Sequence, residues 1–409
     1  MNAGRRLEPA VLAAGAIASS LSAIFDPSAA QAAASQDWPA FVLVAGLISV
    51  GVFASDAGLF ESAGKRLASV PGGPVSAYGC AAILVGVVTA VLNLDTAAAF
   101  LTPVMIHMAR ARKTPAEPFL YGALLLCNAG SLLLPGSNLT NLIVAGHLHL
   151  TGATFAARMA PAWAIALVMT AAVIGLIHHG DLRVTQDGVA RSWIFRSAGE
   201  LTSGGDTESE TEAVRETEER DPSRSTLRIR VATLAVLSAA ALMILLHNAA
   251  LPVLGVGIAL ITFQVATTDK DLGSAVRALG TPILAGLFGI AVGTGTLGRA
   301  SDLPERLLSH AGTFGTAGVG AISSVLLNNL PAASLLAARV PSHPDALLVG
   351  LDVGPNLFVT GSLSAFLWIT AARREGVEPS VRHTAKLGLV SAPLAIMSAV
   401  GVLSLASVH

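Results

Sequence analysis

VLNLDTAAAFLTP (91–103) and VLLNNLPAASLLA (325–337) are the two stretches on which the fold turns. The first lies in an apolar block, 75–109, with basic residues before it (Lys65, Arg66) and after it (Arg110, Arg112, Lys113). Lys and Arg accumulate on the cytoplasmic side of membrane proteins, so both ends of the block belong inside. It reads as a re-entrant hairpin whose tip, Asn93-Leu94-Asp95-Thr96, stops within the membrane. Block 313–338 reads as a second hairpin, entered from outside, with its tip at Asn328-Asn329. Each hairpin is followed by an interrupted helix: NAGSLLLPGSNLTNL (128–142) within 116–150, and VGPNLFVTGSLSAFL (353–367) within 344–372. Gly136-Ser137 aligns with Gly361-Ser362. Interrupted helices at corresponding places in two oppositely oriented halves mark secondary transporters and locate the binding site.

Working outward, apolar stretches of membrane-spanning character, about 20 residues each, recur at 8–25, 39–60, 160–178, 227–247, 251–266, 280–298 and 384–406. The expected architecture is an all-α polytopic membrane protein with inverted repeats. It has about nine spanning helices, counting the two broken ones, plus the two re-entrant hairpins. Residues 1–178 form the N-terminal repeat and 227–409 the C-terminal one. Between them, 179–226 changes to Arg, Glu, Ser, Thr and Asp, as in GGDTESETEAVRETEERDPSRS, and reads as a disordered, acidic cytoplasmic linker. At the start of the chain, Arg5-Arg6, an apolar run and Ser28-Ala29-Ala30-Gln31-Ala32 resemble a signal peptide. An uncleaved first helix is the expectation because many more spans follow. Of the 25 Lys and Arg, only Arg158, Arg299, Arg306 and Arg339 then fall outside.

Composition excludes other classes. Of the 409 residues 53% are hydrophobic and 12% charged, half the charge of a typical soluble domain. A net charge of −1 argues against nucleic acid as a partner, and two cysteines, Cys80 and Cys127, supply no disulfide framework. There is no GxxxxGK[ST] loop to bind a nucleotide, so uphill transport draws on an ion gradient or a partner chain. The histidines (His147, His149, His178, His179, His310 and His343 among them) sit mostly at span ends without metal-site spacing. No metal or organic cofactor is expected.

Unpaired backbone at membrane depth costs several kcal/mol, so it survives only where it is buried in protein or lines a cavity. The four breaks are therefore the candidate site. Their side chains are Asn93, Thr96, Asn128, Ser137, Asn138, Thr140, Asn141, Asn328, Asn329, Asn356, Thr360 and Ser362. These neutral donors and acceptors suit a small polar solute or oxyanion. Asp95, at a tip, and Asp352, just before a break, are ionisable groups at membrane depth and candidates for proton coupling. Asp56 and Glu61 read as helix-end groups at the interface.

FASDAGLFESAGKRLA (53–68), NLDTAAAFLTPV (93–104), PGSNLTNLIVA (135–145), SVLLNNLP (324–331) and VGPNLFVTGSLSAFLW (353–368) resemble the arsenite/antimonite efflux permease family. That family belongs to the larger ion-transporter superfamily that includes sodium-coupled dicarboxylate carriers. The resemblance covers about 38–178 and 280–405. It implies a scaffold and a moving transport domain, the latter made of the hairpins and broken helices. It further implies proton-driven efflux of As(OH)₃ or Sb(OH)₃ by elevator-like alternating access in the cell membrane, with a separate ATPase subunit in some systems and a homodimer as a compatible assembly. Two features depart from the pattern: helix 227–247 has no counterpart in the first half, and Phe358 stands where a polar residue is expected. The alternatives are a sodium-coupled carrier of dicarboxylates or another anion and, remotely, an intramembrane enzyme. Against the first, the tips read Leu94-Asp95-Thr96 and Asn328-Asn329-Leu330 in place of Ser-Asn-Thr. Against the second, there is no His-Glu-x-x-His motif, paired-Asp motif or Ser/His dyad.

Overall fold

The computed structural model describes residues 2–146, 148, 150–183, 222–268, 271, 273, 277 and 279–406. Most of the expected linker, 184–221, lies outside the described residues, as do His147, His149 and Lys270. The described residues form α-helices and short 3₁₀ turns, with no strand among them. Eight helices are long and apolar enough to cross a membrane.

The first half runs α1 (Asn2–Phe25), α2 (Pro27–Asp56), α3 (Leu59–Ala68), α4 (Pro74–Val91), α5 (Leu94–Ala111), α6 (Glu117–Gly130), α7 (Leu139–Ala145) and α8 (Gly152–Ile177). The second runs α9 (Pro222–Leu245), α10 (Ala250–Thr267), α11 (Thr281–Ala300), α12 (Leu303–Leu308), α13 (Gly312–Leu327), α14 (Asn329–Leu336), α15 (Pro344–Val353), α16 (Leu363–Arg374) and α17 (Val381–Ala406). From α2 and from α11 the same order unfolds: a long helix, a short one, a helical hairpin, an interrupted helix and a helix of 26 residues. Proline in the first two positions starts α2, α4, α6, α11, α12 and α15, where its missing N–H costs nothing.

Packing is reciprocal between the halves. Helix α1 lies along α11 and α10 along α2, while α5 lies along α16 and α14 along α7. The initial hairpin arms α4 and α13 lie along α6 and α15 of their own halves, and α8 packs on α17. Helix α9 contacts α2, α8 and α10 and has no equivalent in the first half. The α1–α11 contact is backbone to backbone: a Cβ on Gly15 would strike the Gly286 backbone, and one on Gly289 would strike that of Gly15. Small residues permit such close approach where lipid supplies no hydrophobic drive between helices.

Several boundaries differ from the hydropathy reading. Helix α2 starts at Pro27, well before the apolar run at 39, because Ala30 and Ala33 bury against α11 at Val292 and Phe288. At 30 residues it is about 45 Å long. Asp37 therefore sits buried inside a helix, although the hydropathy reading starts the apolar run at 39. Ser28 to Ala32 form the first turns of α2, with Asp26 as the N-cap accepting from the Ala29 N–H at 3.0 Å.

Gly286→Val should wedge α1 from α11 and cost about 1–3 kcal/mol, read as a lower unfolding midpoint of the purified chain in detergent. Gly401→Val, where an added side chain meets open space, should leave the midpoint unchanged.

Candidate functional site

Both hairpins turn on an asparagine with positive φ, Asn93 (153°) and Asn328 (77°), a backbone state that Asn tolerates better than most residues. The first tip is held by its own side chain, Asn93 Oδ1 accepting from the Thr96 N–H at 2.7 Å. The second is held by the neighbouring break: the Asn329 N–H donates to the Gly361 carbonyl at 2.9 Å and Asn328 Nδ2 to the Thr360 carbonyl at 3.3 Å. Thr96 also presses its methyl group on Gly51 of α2, where a Cβ would overlap it.

The two interrupted helices are built alike. After α6 the chain leaves the helix, makes a 3₁₀ turn at Pro135–Ser137 and re-enters α7 through Asn138. After α15 it makes a 3₁₀ turn at Gly354–Leu357 and re-enters α16 through Ser362. Asn138 and Ser362 are both extended N-caps. Cap to cap, Asn138 corresponds to Ser362, one residue out of register with the alignment of Gly136-Ser137 with Gly361-Ser362.

Direct hydrogen bonds join the breaks. Asn128 Nδ2 donates to Asn356 Oδ1 at 2.7 Å, and Asn356 Nδ2 donates to the Leu125 carbonyl at 3.0 Å. Asp352 Oδ1 accepts from Asn138 Nδ2 at 2.9 Å and from the Thr140 hydroxyl, with Ser131 beside them. The carbonyls freed by the first break are taken up by Ser137 and Asn141, which donate to Ser131 and Leu134. Farther along α16, Trp368 Nε1 donates to the Leu120 carbonyl at 2.8 Å. Asp95, in the first turn of α5, lies near Cys127, the neighbour of Asn128. Its carboxylate makes no hydrogen bond or ion pair among the described residues.

The result is a polar belt in which hydrogen bonds join both breaks and the second tip, with the first tip beside it next to α6. Asn93, Thr96, Asn128, Ser137, Asn138, Asn141, Asn329, Asp352, Asn356 and Ser362 are buried, and Thr360 is exposed. Ser362 pairs with Ser364, at 2.6 Å. Four buried atoms of the belt have no partner among the described residues: Asn93 Nδ2, Asn128 Oδ1, Asn141 Oδ1 and Asp352 Oδ2, although buried polar atoms are rarely left unpaired. No Lys or Arg donates to the belt among the described residues. Phe358 sits at the rim, 48% exposed.

Sequence reasoning missed a second polar set, between α2 and the helices that carry the breaks. Gln36 Nε2 donates to the carbonyls of Ile143 (3.3 Å) and Ala337 (3.2 Å), and its Oε1 accepts from Arg299. Asp37, buried beside it, accepts from the Ser334 hydroxyl at 3.4 Å. The alanines from 29 to 34, which carry the helix up to Gln36 and Asp37, were the available signal. A cavity of about 310 Å³ lies next to this set and to the first break, lined by Gln36, Pro135, Gly136, Leu150, His247 and Asn248 among others.

The chain matches the CitMHS citrate transporter family over residues 3–371. It is 23% identical to the arsenical pump membrane protein of Escherichia coli over 380 residues, covering 86% of this chain and 83% of that protein. The silicon efflux transporter LSI3 of Oryza sativa subsp. japonica is 30% identical over 135 residues, 33% of this chain but only 28% of the relative. Among solved structures, the Alcanivorax borkumensis YdaH transporter superposes with a TM-score of 0.50 at 14% identity, covering 92% of this chain and 87% of that one.

The bond between Asn128 and Asn356 should be detectable as energy. In a double-mutant cycle of Asn128→Ala and Asn356→Ala, unfolding of the purified chain should give a coupling of about 0.5–3 kcal/mol. Additive effects would mean that the two amides do not meet.

Proposed function

The chain belongs to the CitMHS citrate transporter family, and from that premise we propose that it exports arsenite or antimonite, as the neutral trihydroxides, in exchange for protons. It is a multi-pass membrane transporter, and the family and the relatives are transporters rather than enzymes. The observation that carries the substrate reading is the chemistry of the belt. Its unpaired atoms are one amide donor and acceptors on two amides and a carboxylate, with no cationic side chain bonded to it among the described residues. A trihydroxide both donates and accepts hydrogen bonds and carries no charge to be neutralised. A polycarboxylate brings several negative charges, and burying charge without a partner is costly. The arsenical pump relatives, which match most of the chain, support the same reading. Asp95 and Asp352 are the proposed proton carriers, and the remaining site residues bind solute or hold the breaks in shape.

The proposed motion sets α1, α2, α10 and α11 as a scaffold in the cell membrane and moves the hairpins and broken helices against it. Reciprocal packing of the halves supports repeats 1–178 and 227–409 of opposite orientation, joined by the cytoplasmic linker 179–226. Both hairpins are then re-entrant. The bonds from Gln36 and Asp37 to Ile143, Ala337 and Ser334 cross the sliding surface and must exchange partners in each cycle. A separate ATPase subunit and a homodimer belong to the same proposal.

A second reading, a sodium-coupled or other anion carrier, is favoured by the citrate description of the family. It requires cations bound with the anion to supply the charge that the belt lacks.

Expression in cells without arsenite efflux should lower accumulation of radiolabelled As(III), and a proton uncoupler should abolish the effect. Asp95→Asn and Asp352→Asn should each reduce efflux about tenfold or more, equivalent to roughly 1.4 kcal/mol. Unchanged accumulation would sink the arsenite reading, and sodium-dependent citrate uptake would put the anion reading in its place. For the motion, Gln36→Cys with Ala337→Cys, in a chain with Cys80 and Cys127 replaced, should lose transport on oxidation and regain it on reduction. Full activity of the cross-linked chain would refute sliding at this surface.

A further inference from the structure

At the end of the helices opposite in role to the solute belt, four side chains from distant parts of the chain meet. His178 closes α8 as its C-cap, Asp181 lies in the 3₁₀ turn that follows, Glu117 opens α6, and His383 lies in the first turn of α17. His178 Nδ1 lies 2.8 Å from Asp181 Oδ2. On the other side of the ring, His178 Nε2 lies 3.1 Å from His383 Nε2. Glu117, His178 and Asp181 each offer a ligand atom within 4.8 Å of the others, and His383 feels the charges of Glu117, Asp181 and Lys386. The Tyr121 ring packs on both histidines, with centroids 6.1 Å from His178 and 4.7 Å from His383.

We propose that His178 and His383 bind a divalent transition-metal ion of the Zn²⁺ class between their facing Nε2 atoms, with Asp181 orienting His178 and Glu117 adding negative charge beside them. Two imidazole nitrogens that face each other need something positive between them, either a proton or a metal ion. When Asp181 accepts the Nδ1 proton of His178, the Nε2 lone pair is left pointing at His383, the tautomer that metal-ligating histidines adopt when a carboxylate supports them. Two nitrogens bound tetrahedrally at Zn–N distances of about 2.0–2.1 Å stand about 3.3 Å apart, close to the observed spacing. Glu117, close to His178 and Asp181, adds negative charge, and waters complete four ligands, an open-site arrangement. No local spacing betrays the site, since its two histidines are 205 residues apart in sequence. The expectation of no metal site, drawn from local spacing, could not register such a pair.

A metal ion here would tie the end of α8, directly before residue 184, to the start of α17, beside the start of α6, the helix that carries Asn128. It would act as a clip on the helices around the solute belt, independent of which solute is carried.

The test uses the purified full-length chain without a polyhistidine tag, loaded with ZnCl₂ in detergent, desalted, and assayed for bound zinc by mass spectrometry. The expected result is about one Zn²⁺ per chain in excess of the His178→Gln/His383→Gln double variant. Asp181→Asn should keep that stoichiometry with affinity about 10–100-fold weaker. Cobalt substitution should give visible absorption bands that the double variant lacks. Should loss of buried His178 prevent folding, His383→Gln alone decides, because His383 is half-buried and its variant can be matched to the unsubstituted chain by metal-free thermal unfolding. Zinc content equal in the unsubstituted chain and in His383→Gln would overturn the proposal.

Discussion

Backbone groups released by an interrupted helix must find partners away from water, and the rest of the structure depends on how this chain supplies them. The carbonyls freed by the first break find partners within its own segment, Ser137 and Asn141, and the Gly361 carbonyl of the second break finds the Asn329 N–H of the neighbouring tip, while Asn356 and Trp368 reach across to carbonyls inside α6. Because Asn128 bonds Asn356 and Asn138 bonds Asp352, side chains at each break are also tied to the other half. The close backbone approaches follow from the same demand, as at Gly388, where a Cβ would strike the Asn356 carbonyl.

Once the carbonyls are satisfied, the surplus is chemically informative. What remains is a small set of buried atoms, Asn93 Nδ2, Asn128 Oδ1, Asn141 Oδ1 and Asp352 Oδ2, on a belt without cationic partners among the described residues. The two carboxylates differ in kind. Asp352 is fully buried and held by Asn138 and Thr140 from the opposite half, so a change in its protonation would be felt by both breaks. Asp95 is partly exposed and unbonded, near Cys127 on α6. That contrast suits one carboxyl that reports on site geometry and one that exchanges with its surroundings.

Much of the fold was legible because lipid forbids so much. Apolar runs, basic flanks and Gly/Pro-rich interruptions identified the hairpins and broken helices, and the asparagines at 93 and 328 proved to be the turning residues with positive φ. The candidate belt was legible as a set of residue types at breaks, but its pairings were not. That Asn128 meets Asn356, and Asn138 meets Asp352, depends on how two halves dock, which no local pattern encodes. Hydropathy also hid the first turns of α2, where alanine-rich sequence scores weakly yet packs well against α11. Gln36 and Asp37 therefore fell between the expected spans, and Arg299, their partner across the interface, read as an outside charge. The half-buried position of Arg299 follows from tertiary packing alone.

The central claim is that the belt recognises a neutral, hydroxyl-bearing solute by hydrogen bonds from both halves. Calorimetric titration of the purified chain at neutral pH with arsenite and, separately, with citrate tests it most directly. The expected result is saturable heat with arsenite that disappears in Asn128→Ala, and none with citrate. Saturable citrate binding lost in the same variant, with no heat from arsenite, would contradict the claim.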